Sequence, residues 1–487
     1  MFAENKTIYL RREIITRIAK LLFEDKLAEE IDKLPMQMIK KEDKPIRCCI
    51  YKDRELIKYR TIASLGFSLE NEYEIDNNLL SDYAKIALKR DNPTFPILTF
   101  IDEACKACVR TNYFVTNVCR NCVDKPCMGN CPKNAIEISE DINQAKIIPE
   151  KCINCGICMK VCPFHSIVYV PVPCEESCPV GAISKDAQGK EDIDYSKCIF
   201  CGKCRSACPF GAIMEKSQII DVISHIKSKN KTVAMIAPSI IGQFPGDIKN
   251  IVYGLKKVGF DYVVEVALGA DITAKVESEE FVERITKGDN LMGTSCCPAY
   301  IESVKKHSKA FLPFVSHAKT PMAYTAEIVR EKYPDCITVF IGPCIAKKHE
   351  GINNDKIDYV LTFEEIESMF KAKDIDFSIW ENSTNNLKEE LDIKEATKIG
   401  REFPVTSGVS NAVKDSLSNL NSKIELKPVL VNGLNKQNVK LLNIYGSGNC
   451  PGNLVEVMSC EGGCIAGPGV ITKPQNSRKK LEEFLVS

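Results

Sequence analysis

Two short stretches of this 487-residue chain decide the fold of its middle part, CINCGICMKVCP at residues 152–163 and CIFCGKCRSACP at residues 198–209. In each, three cysteines follow one another with two residues between them, and a fourth comes after three more residues, directly before proline. Three thiolates at this spacing wrap one [4Fe–4S] cubane, while the fourth reaches a neighbouring cubane. The spacing is very specific, and it predicts paired iron–sulfur clusters.

A third group repeats this arrangement with one longer gap. It consists of Cys119, Cys122, Cys127 and Cys131, the last again before proline. An exchange of fourth thiolates between this group and the run that begins at Cys152 predicts an inner pair of clusters. The predicted ligands are Cys119, Cys122, Cys127 and Cys162 on one cluster, and Cys152, Cys155, Cys158 and Cys131 on the other.

The remaining cysteines of this segment form two shorter groups, Cys105-x2-Cys108 and Cys174-x3-Cys178-Pro. We interpret them as two halves of one run into which the inner pair is inserted. This interpretation gives a third cluster on Cys105, Cys108, Cys174 and Cys208, and a fourth on Cys178, Cys198, Cys201 and Cys204. Zinc ribbons are the alternative, but the Cys-Pro endings and the lack of paired His favour iron–sulfur clusters. Four such clusters in series form an electron-transfer chain.

The overall composition is that of an ordinary globular protein except for its 25 cysteines. Lys+Arg and Asp+Glu are both 65, so the total charge favours neither nucleic acid nor an anionic membrane as a partner. The first residues carry charges where a signal peptide needs an apolar run, and no stretch reaches the length of a membrane-spanning helix. We therefore expect a soluble, cytoplasmic protein with reduced thiols.

Cysteine density divides the chain into three expected domains. Residues 1–98 have no assigned role, with a helical pattern over residues 14–34 and a strand pair expected in residues 45–62, which together suggest an α/β cap. Residues 99–215 form a ferredoxin-like (βαββαβ-type) region with an inner ferredoxin at 117–168. Residues 216–487 alternate apolar strands with helices. The expected fold class is therefore α+β and α/β multidomain, with partly parallel sheets in the last domain.

Three Gly- and Pro-bordered loops of the last domain contain five cysteines. They are Thr-Ser-Cys296-Cys297-Pro298, Gly342-Pro343-Cys344-Ile-Ala-Lys347-Lys-His-Glu350, and Glu456-Val-Met458-Ser-Cys460-Glu-Gly-Gly-Cys464. Small residues beside a thiolate let the backbone approach a cluster and donate hydrogen bonds to its sulfurs. The loops alone predict a fifth cubane site with at least one thiol to spare.

In order and internal spacing, these loops resemble the TSCCP, PCxxKxxE and ExMxCxxGC signatures of the [FeFe]-hydrogenases. The resemblance extends over about residues 100–470 and includes that family's accessory ferredoxin domain. It implies a cubane on Cys297, Cys344, Cys460 and Cys464, with Cys464 bridging to a di-iron subsite that carries CO, CN⁻ and a dithiolate bridge. Tyr300, Met322 and Gly342 stand where many members have Trp, Gln and Met, which resembles the divergent group B.

The resemblance also implies roles for residues around the di-iron subsite. Lys347, paired with Glu350, would hydrogen-bond a cyanide, and Ala237, Pro238 and Met458 would line the subsite. A proton route would run through Cys296, Glu277, Ser316 and Glu280 to solvent. For the two glutamates, which are spaced i,i+3, an exposed helical face is the rival interpretation because Glu279 and Glu283 lie alongside.

The predicted function is therefore reversible 2H⁺ + 2e⁻ ⇌ H₂ at a six-iron H-cluster, with ferredoxin or flavodoxin as the electron carrier and maturation proteins supplying the di-iron unit. Two alternatives stay open, a hydrogenase-like iron–sulfur assembly protein without the di-iron subsite and a low-turnover H₂ sensor. Cys48, Cys49, Cys336 and Cys450 are expected to be buried free thiols. The loop of Cys450 also resembles a cluster-proximal turn, which leaves a protective or redox role open. His165 is expected at the surface.

Overall fold

The computed structural model describes residues 5–69, 77–105, 108, 111–186, 189–377, 391–393, 396–420 and 424–486. Its helices are α1 (Lys6–Phe23), α2 (Leu27–Glu30), α3 (Leu34–Met38), α4 (Ile50–Ser64), α5 (Leu80–Ala87), α6 (Pro126–Gly129), α7 (Ile157–Val161), α8 (Pro173–Ser177), α9 (Lys203–Ala207), α10 (Ile219–Lys227), α11 (Ile248–Val258), α12 (Ala267–Thr286), α13 (Pro298–His307), α14 (Pro321–Lys332), α15 (Ala346–Ile352), α16 (Phe363–Ala372), α17 (Lys398–Glu402), α18 (Gly408–Asn419), α19 (Lys436–Gly446) and α20 (Pro474–Val486). Its strands are β1 (Leu98–Phe100), β2 (Tyr113–Val115), β3 (Ile136–Ser139), β4 (Gln144–Ile147), β5 (Ile167–Tyr169), β6 (Ile183–Lys185), β7 (Glu191–Ile193), β8 (Ile213–Glu215), β9 (Thr232–Ile236), β10 (Tyr262–Glu265), β11 (Met292–Gly293), β12 (Ile337–Gly342), β13 (Tyr359–Thr362), β14 (Pro428–Asn432) and β15 (Leu454–Met458). Over these described ranges, no helix is both long and apolar enough to cross a membrane.

The N-terminal part is helical where it is described. Helix α1 begins after Asn5, whose side-chain oxygen accepts a hydrogen bond from the Thr7 N–H at 3.0 Å. Its buried face includes Ile14, Ile18 and Leu22, which recur at the helical period. The predicted helical pattern over residues 14–34 is present as α1, α2 and short turns.

The strand pair predicted in residues 45–62 is wrong, because Ile50–Ser64 forms α4. Every residue of α4 from Tyr59 to Ser64 is buried, so the second half of the helix has no face exposed to water. A helix that is buried all round shows no 3.6-residue alternation of polar and apolar residues. The expected α/β cap is therefore a helical one.

The cysteine-rich segment is bracketed by β1 and β8, which pair in antiparallel fashion with Leu98 opposite Glu215. Between them lie three further antiparallel pairs, β2 with β5, β3 with β4, and β6 with β7. Helices α6, α7 and α9 each begin after a residue in the left-handed region, namely Lys125, Gly156 and Gly202. These left-handed residues turn the chain sharply between neighbouring cysteines.

The last part of the chain contains two parallel sheets. One has the strand order β10-β9-β12-β13, and the other has the order β11-β15-β14. Every residue of β9, β13 and β15 is buried. Continuously buried, mostly apolar runs of this kind are typical of parallel strands that are covered on both faces. The predicted fold class, with a ferredoxin-like region followed by an α/β part with parallel sheets, is confirmed.

A buried group of charges joins all three parts of the chain. At the start of α16, the carboxylate of Glu364 accepts a hydrogen bond from Arg11 of α1 at 2.9 Å and another from Arg205 of α9. Arg205 also donates to Glu215 and to the carbonyl oxygen of Pro468, both at 2.7 Å. Burial alone would raise the pKa of Glu364, but the neighbouring arginines lower it to about 2. This network fixes the last cysteine run against the sheet that follows it.

Candidate active site

A cavity of about 890 Å³ lies at the carboxyl ends of four parallel strands, two from each sheet. Ligands of open α/β sheets bind outside the carboxyl ends of the strands, where loops rather than strand backbone meet. The three cysteine loops follow β11, β12 and β15, and the Ala-Pro pair follows β9. The predicted residues that line the cavity are Ala237, Pro238, Cys296, Cys297, Cys344, Lys347, Met458, Cys460 and Cys464.

The thiols of this cavity are held away from water. Burial raises the pKa of Cys344 and Cys464 to about 12, and it raises that of Cys296 and Cys460 well above the ordinary value. Neighbouring cysteines add to the effect, because several thiolates at close range repel one another. Such thiols favour the neutral form on their own and become good ligands once a bound metal supplies positive charge. The donor set therefore fits a soft metal cluster.

Close backbone contacts shape the loop between Cys460 and Cys464. Gly463 has a φ of +97°, and a Cβ atom at this position would lie 2.3 Å from the carbonyl oxygen of Pro404. A Cβ atom at Gly467 would lie 2.6 Å from the carbonyl oxygen of Pro343. Glycine is required at both positions, and it lets two cysteine loops close around the same space.

Lys347 points into the cavity from the first turn of α15. Its ammonium donates a hydrogen bond to Glu350 Oε2 at 2.7 Å, and Glu350 also accepts one from the Thr320 hydroxyl. Burial by itself lowers the pKa of Lys347, but the Glu350 carboxylate more than offsets this, and the pKa lies above its ordinary value. Lys347 is therefore a buried, permanently charged hydrogen-bond donor beside Cys344.

Glu277 lies on α12 and is completely buried. Its Oε1 accepts hydrogen bonds from the Ser295 backbone N–H at 2.7 Å and from the Ser295 hydroxyl at 3.0 Å. Its Oε2 is also buried and has no hydrogen-bond partner within the described part of the chain. Burial raises the pKa of Glu277 to about 8. Its charge in turn contributes to the raised pKa of Cys296, which places the two groups close together.

Glu280 lies on the solvent side of Glu277. Its Oε2 accepts a hydrogen bond from the Ser316 hydroxyl at 2.6 Å, and its Oε1 pairs with Arg284 at 2.7 Å. Only 13% of the Glu280 side chain is exposed, whereas Glu283 is 62% exposed. The exposed-face interpretation is therefore wrong for Glu277 and Glu280, which face inward on a helix whose other glutamates face water.

The residues that depart from the hydrogenase pattern are buried at or near the same cavity. Met322 lines it, and so does Phe340. The Phe340 ring lies where a side chain at Gly342 would project, 2.5 Å from an ideal Cβ atom there. Tyr300 is fully buried, and its hydroxyl has no hydrogen-bond partner among the residues that the structure describes. Phe340 thus fills space that a larger residue at position 342 would occupy.

Three contributors to the site were not singled out in the sequence. Ser295 and Thr320 hold the two carboxylates described above, and Glu456 accepts hydrogen bonds at 2.8 Å from the N–H groups of Ser407 and Ser410. These two N–H groups belong to the N-terminal turn of α18. Ser295 lies inside the quoted TSCCP loop and Glu456 begins the third loop, so both could have been examined there. Thr320 stands directly before Pro321 at the start of α14, which marks it as a helix N-cap but not as a partner of Glu350.

Eight of the accessory cysteines lie in two groups beside small cavities. Four of them line a cavity of about 380 Å³, and another four line a cavity of about 360 Å³. The first group is Cys119, Cys122, Cys127 and Cys162; the second is Cys131, Cys152, Cys155 and Cys158. Within the described ranges, no three His, Cys, Asp or Glu side chains converge as they would around a single metal ion.

The other two sets are recognised by their mutual electrostatic effects. Burial, together with the charges of Cys208 and Cys108, raises the pKa of Cys174 to about 12. Cys208 also contributes to the raised pKa of Cys105. Burial together with Cys201, Cys198 and Cys178 raises the pKa of Cys204 well above its ordinary value. Cys201 also lines the 890 Å³ cavity, so this last set lies next to the candidate active site.

The remaining predictions have mixed outcomes. Cys336 is buried and His165 is exposed, as expected. Cys450 is half-buried against Tyr445 and does not line the cavity. The prediction of a buried thiol is wrong for Cys48, which is exposed, and for Cys49, which is half-buried at the start of α4. Both lie in the segment that was mistaken for a strand pair.

Comparison with known proteins agrees with this site. Residues 230–468 match the family model "Iron only hydrogenase large subunit, C-terminal domain", and residues 145–168 and 191–214 each match the "4Fe-4S binding domain". Iron hydrogenase 1 of Clostridium pasteurianum is 29% identical over 406 residues, which cover 72% of this chain and 69% of the relative. The chain is an [FeFe]-hydrogenase-like protein.

Other relatives of this hydrogenase-like protein have different names. The periplasmic [Fe] hydrogenase large subunit of Nitratidesulfovibrio vulgaris is 28% identical over 300 residues, covering 50% of this chain and 70% of the relative. A probable cytosolic Fe-S cluster assembly factor of Aedes aegypti is 24% identical over 277 residues, covering 47% of this chain and 57% of the relative. The hydrogenase-like protein binds iron–sulfur clusters, and its relatives include both hydrogenases and assembly factors.

Proposed function

We propose that this protein is an [FeFe]-hydrogenase that catalyses 2H⁺ + 2e⁻ ⇌ H₂ at a six-iron H-cluster. The observation that carries the proposal is the size and lining of the candidate active site. Its space of about 890 Å³, part of it open to solvent, exceeds the 380 and 360 Å³ beside the two groups of four cysteines. Its lining adds Cys296 and Lys347 to the four predicted ligands. A cubane on Cys297, Cys344, Cys460 and Cys464 would leave space beside it, next to Lys347 and Cys296.

The chain's own residues would hold the di-iron unit in that space. The Cys464 thiolate would join it to the cubane, and the Lys347 ammonium, fixed by Glu350, would donate a hydrogen bond to a cyanide. Pro238 and Met458 would pack against it and exclude water. When bound, the unit supplies an open iron position for hydride or H₂.

Protons would reach this position through a chain of exchangeable groups. Cys296 borders the cavity, and Glu277 lies beside it with one buried oxygen unpartnered within the described residues. Ser316 then donates to Glu280 at the surface side. Because the pKa of Glu277 is about 8, this carboxyl group can both take up and release a proton near neutral pH.

Electrons would arrive through four accessory [4Fe–4S] clusters. The set that contains Cys201 would be the last before the active site, because Cys201 borders both. A ferredoxin or flavodoxin is the proposed carrier, and dedicated maturation proteins are the proposed source of the di-iron unit. Relatives named as hydrogenases support this assignment.

The second candidate function is iron–sulfur cluster assembly without a di-iron unit, which the relatives named as assembly factors favour. Against it stand Cys296 and the Lys347–Glu350 pair. Cys296 and Lys347 line the cavity in addition to the four predicted cubane ligands, and Glu350 pairs with Lys347.

Infrared spectroscopy in the CO and CN⁻ stretching region tests the proposal. Protein produced together with the di-iron maturation proteins should show these bands, and Cys464→Ala should abolish them. Cys450→Ala is the matched control, since that thiol lies outside the cavity and its loss should leave the bands intact. A blank spectrum from protein with full cubane iron would overturn the hydrogenase proposal and favour the assembly function.

A further inference from the structure

A second cavity, of about 800 Å³, lies between the N-terminal helices and the loop that follows Cys208. The hydrogenase proposal leaves it without a role. Three cationic side chains line it, Lys6, Arg47 and Arg60, together with one carboxylate, Asp53. The cavity therefore carries an excess of positive charge beside a predicted accessory cluster.

The carboxylate in this cavity is already engaged by the backbone. Asp53 Oδ2 accepts a hydrogen bond from the Ile46 N–H at 2.7 Å, and Oδ1 accepts one from the Arg47 N–H at 3.2 Å. Asp53 therefore fixes the chain that leads into α4. It makes no ion pair with the three cations, none of which has a carboxylate partner within the described residues.

Arg60 differs from the other buried arginines. Only 7% of it is exposed, and its guanidinium donates to the carbonyl oxygen of Phe210 at 2.8 Å. Burial lowers the pKa of Arg60 to about 10. By contrast, Arg11 and Arg90 bind the carboxylates of Glu364 and Asp221 at 2.9 and 2.7 Å. Asp53 and the Cys208 thiol raise the pKa of Arg60 only slightly, because neither lies within ion-pair distance of its guanidinium. An anion in direct contact with this buried cation would therefore stabilise it.

Arg47 adds a second guanidinium to the lining of the cavity. Its guanidinium donates to the carbonyl oxygen of Ala104 at 3.0 Å and lies 5.1 Å from the centre of the Phe210 ring. Phe210 is two residues after Cys208, and Ala104 is directly before Cys105. The cations thus contact the backbone on both sides of one predicted cluster.

We propose that this cavity binds a small polyanion with phosphate or carboxylate groups, held by Arg47, Arg60 and Lys6. Guanidinium groups bind such anions through paired N–H donors. The bound charge would lower the reduction potential of the cluster on Cys105, Cys108, Cys174 and Cys208, because a nearby negative charge disfavours the added electron. Binding is independent of the hydrogenase proposal, whereas the effect on potential rests on its accessory clusters.

Pyrophosphate is the probe, and isothermal titration calorimetry on the intact cluster-loaded protein at fixed ionic strength is the measurement. Each lost charged hydrogen bond should weaken binding by about 10-fold or more. The test variant carries both Lys6→Gln and Arg47→Gln, which spares the more deeply buried Arg60. The control carries Arg17→Gln and Lys33→Gln, which remove the same charge from the N-terminal helices outside the cavity.

The proposal expects pyrophosphate to bind the parent and the control and to bind the test variant at least about 10-fold more weakly. Equal iron content in all three proteins shows that the variants fold. If pyrophosphate does not bind the parent protein, or binds the test and control variants with equal affinity, the proposed anion site is wrong. In an EPR-monitored redox titration, pyrophosphate should shift one accessory cluster to lower potential in the parent but not in the test variant. No shift in the parent would overturn the electrostatic link.

Discussion

Replacement of Glu277 by Gln is the perturbation for which the structure gives the sharpest magnitude. The carboxyl group is fully buried, one oxygen binds Ser295, and burial raises the pKa to about 8. At pH 7 the neutral acid should therefore exceed the carboxylate by about ten to one. We expect an infrared carboxylic-acid C=O band that is present at pH 7, disappears with a midpoint near pH 8, and is absent from Glu277→Gln.

The same pKa predicts how stability depends on pH. A carboxyl group with a raised pKa in the folded state binds its proton more tightly there than in the unfolded chain. The contribution of Glu277 to the free energy of unfolding is therefore fully present below about pH 4.5, and it is lost as the pH rises toward 8. At about 1.4 kcal/mol for each pH unit, the loss over this window is about 5 kcal/mol. The unfolding free energy of Glu277→Gln should not decrease with pH in this way. The variant should therefore gain stability relative to the parent protein as the pH rises.

Infrared titration and thermal inactivation at pH 5.5 and pH 8.5 are the assays. Glu279→Gln is the control, because Glu279 lies on the same helix but is exposed. Turnover of Glu277→Gln should fall by about 10²-fold or more, since an amide cannot relay the proton. A parental spectrum without a titrating acid band, or the same band in Glu277→Gln, would show that Glu277 is not the buried acid.

Three further predictions address the proton route, the accessory clusters and the buried charges. Cys296→Ala should keep its iron and its CO and CN⁻ bands but lose about 10²-fold in H₂ production, and near-normal production would reject the route. Protein made without di-iron maturation should contain about 20 irons, four in each of five cubanes. Replacing Cys105 and Cys108 together by Ser should remove about four of these irons. An unchanged iron content would reject the nested pairing of the cysteines. Glu364→Gln leaves Arg205 with a buried, less compensated charge, and it should lower the free energy of unfolding in urea by about 3–5 kcal/mol. A loss under about 1 kcal/mol would contradict a stabilising role of the buried charge network.

The cysteine groups could be predicted because their information is local. The spacing of Cys152, Cys155 and Cys158 restricts which thiols can face one cluster, and the cavities follow that grouping. The parallel strands were recognisable for a similar reason, since buried apolar runs such as β9 need no distant partner to be seen. The spacing of the cysteines and the composition of the strands are therefore enough to predict the ferredoxin-like region and the parallel sheets.

The features that escaped prediction depend on distant contacts. Helix α4 is covered on all sides of its second half, which removes the periodic signal and led to the wrong strand pair. Thr320 acquires its role only because α14 begins next to Glu350. The cation-lined cavity needs α1, α4 and the loop after Cys208 to come together, and no single stretch of sequence contains it.

The most direct test of the central claim is H₂ production by the purified, fully maturated protein with a strong low-potential electron donor. We expect sustained H₂ evolution that is lost in Cys464→Ala and kept in Cys450→Ala. Protein that carries the full CO and CN⁻ infrared signature but neither evolves nor oxidises H₂ would contradict it.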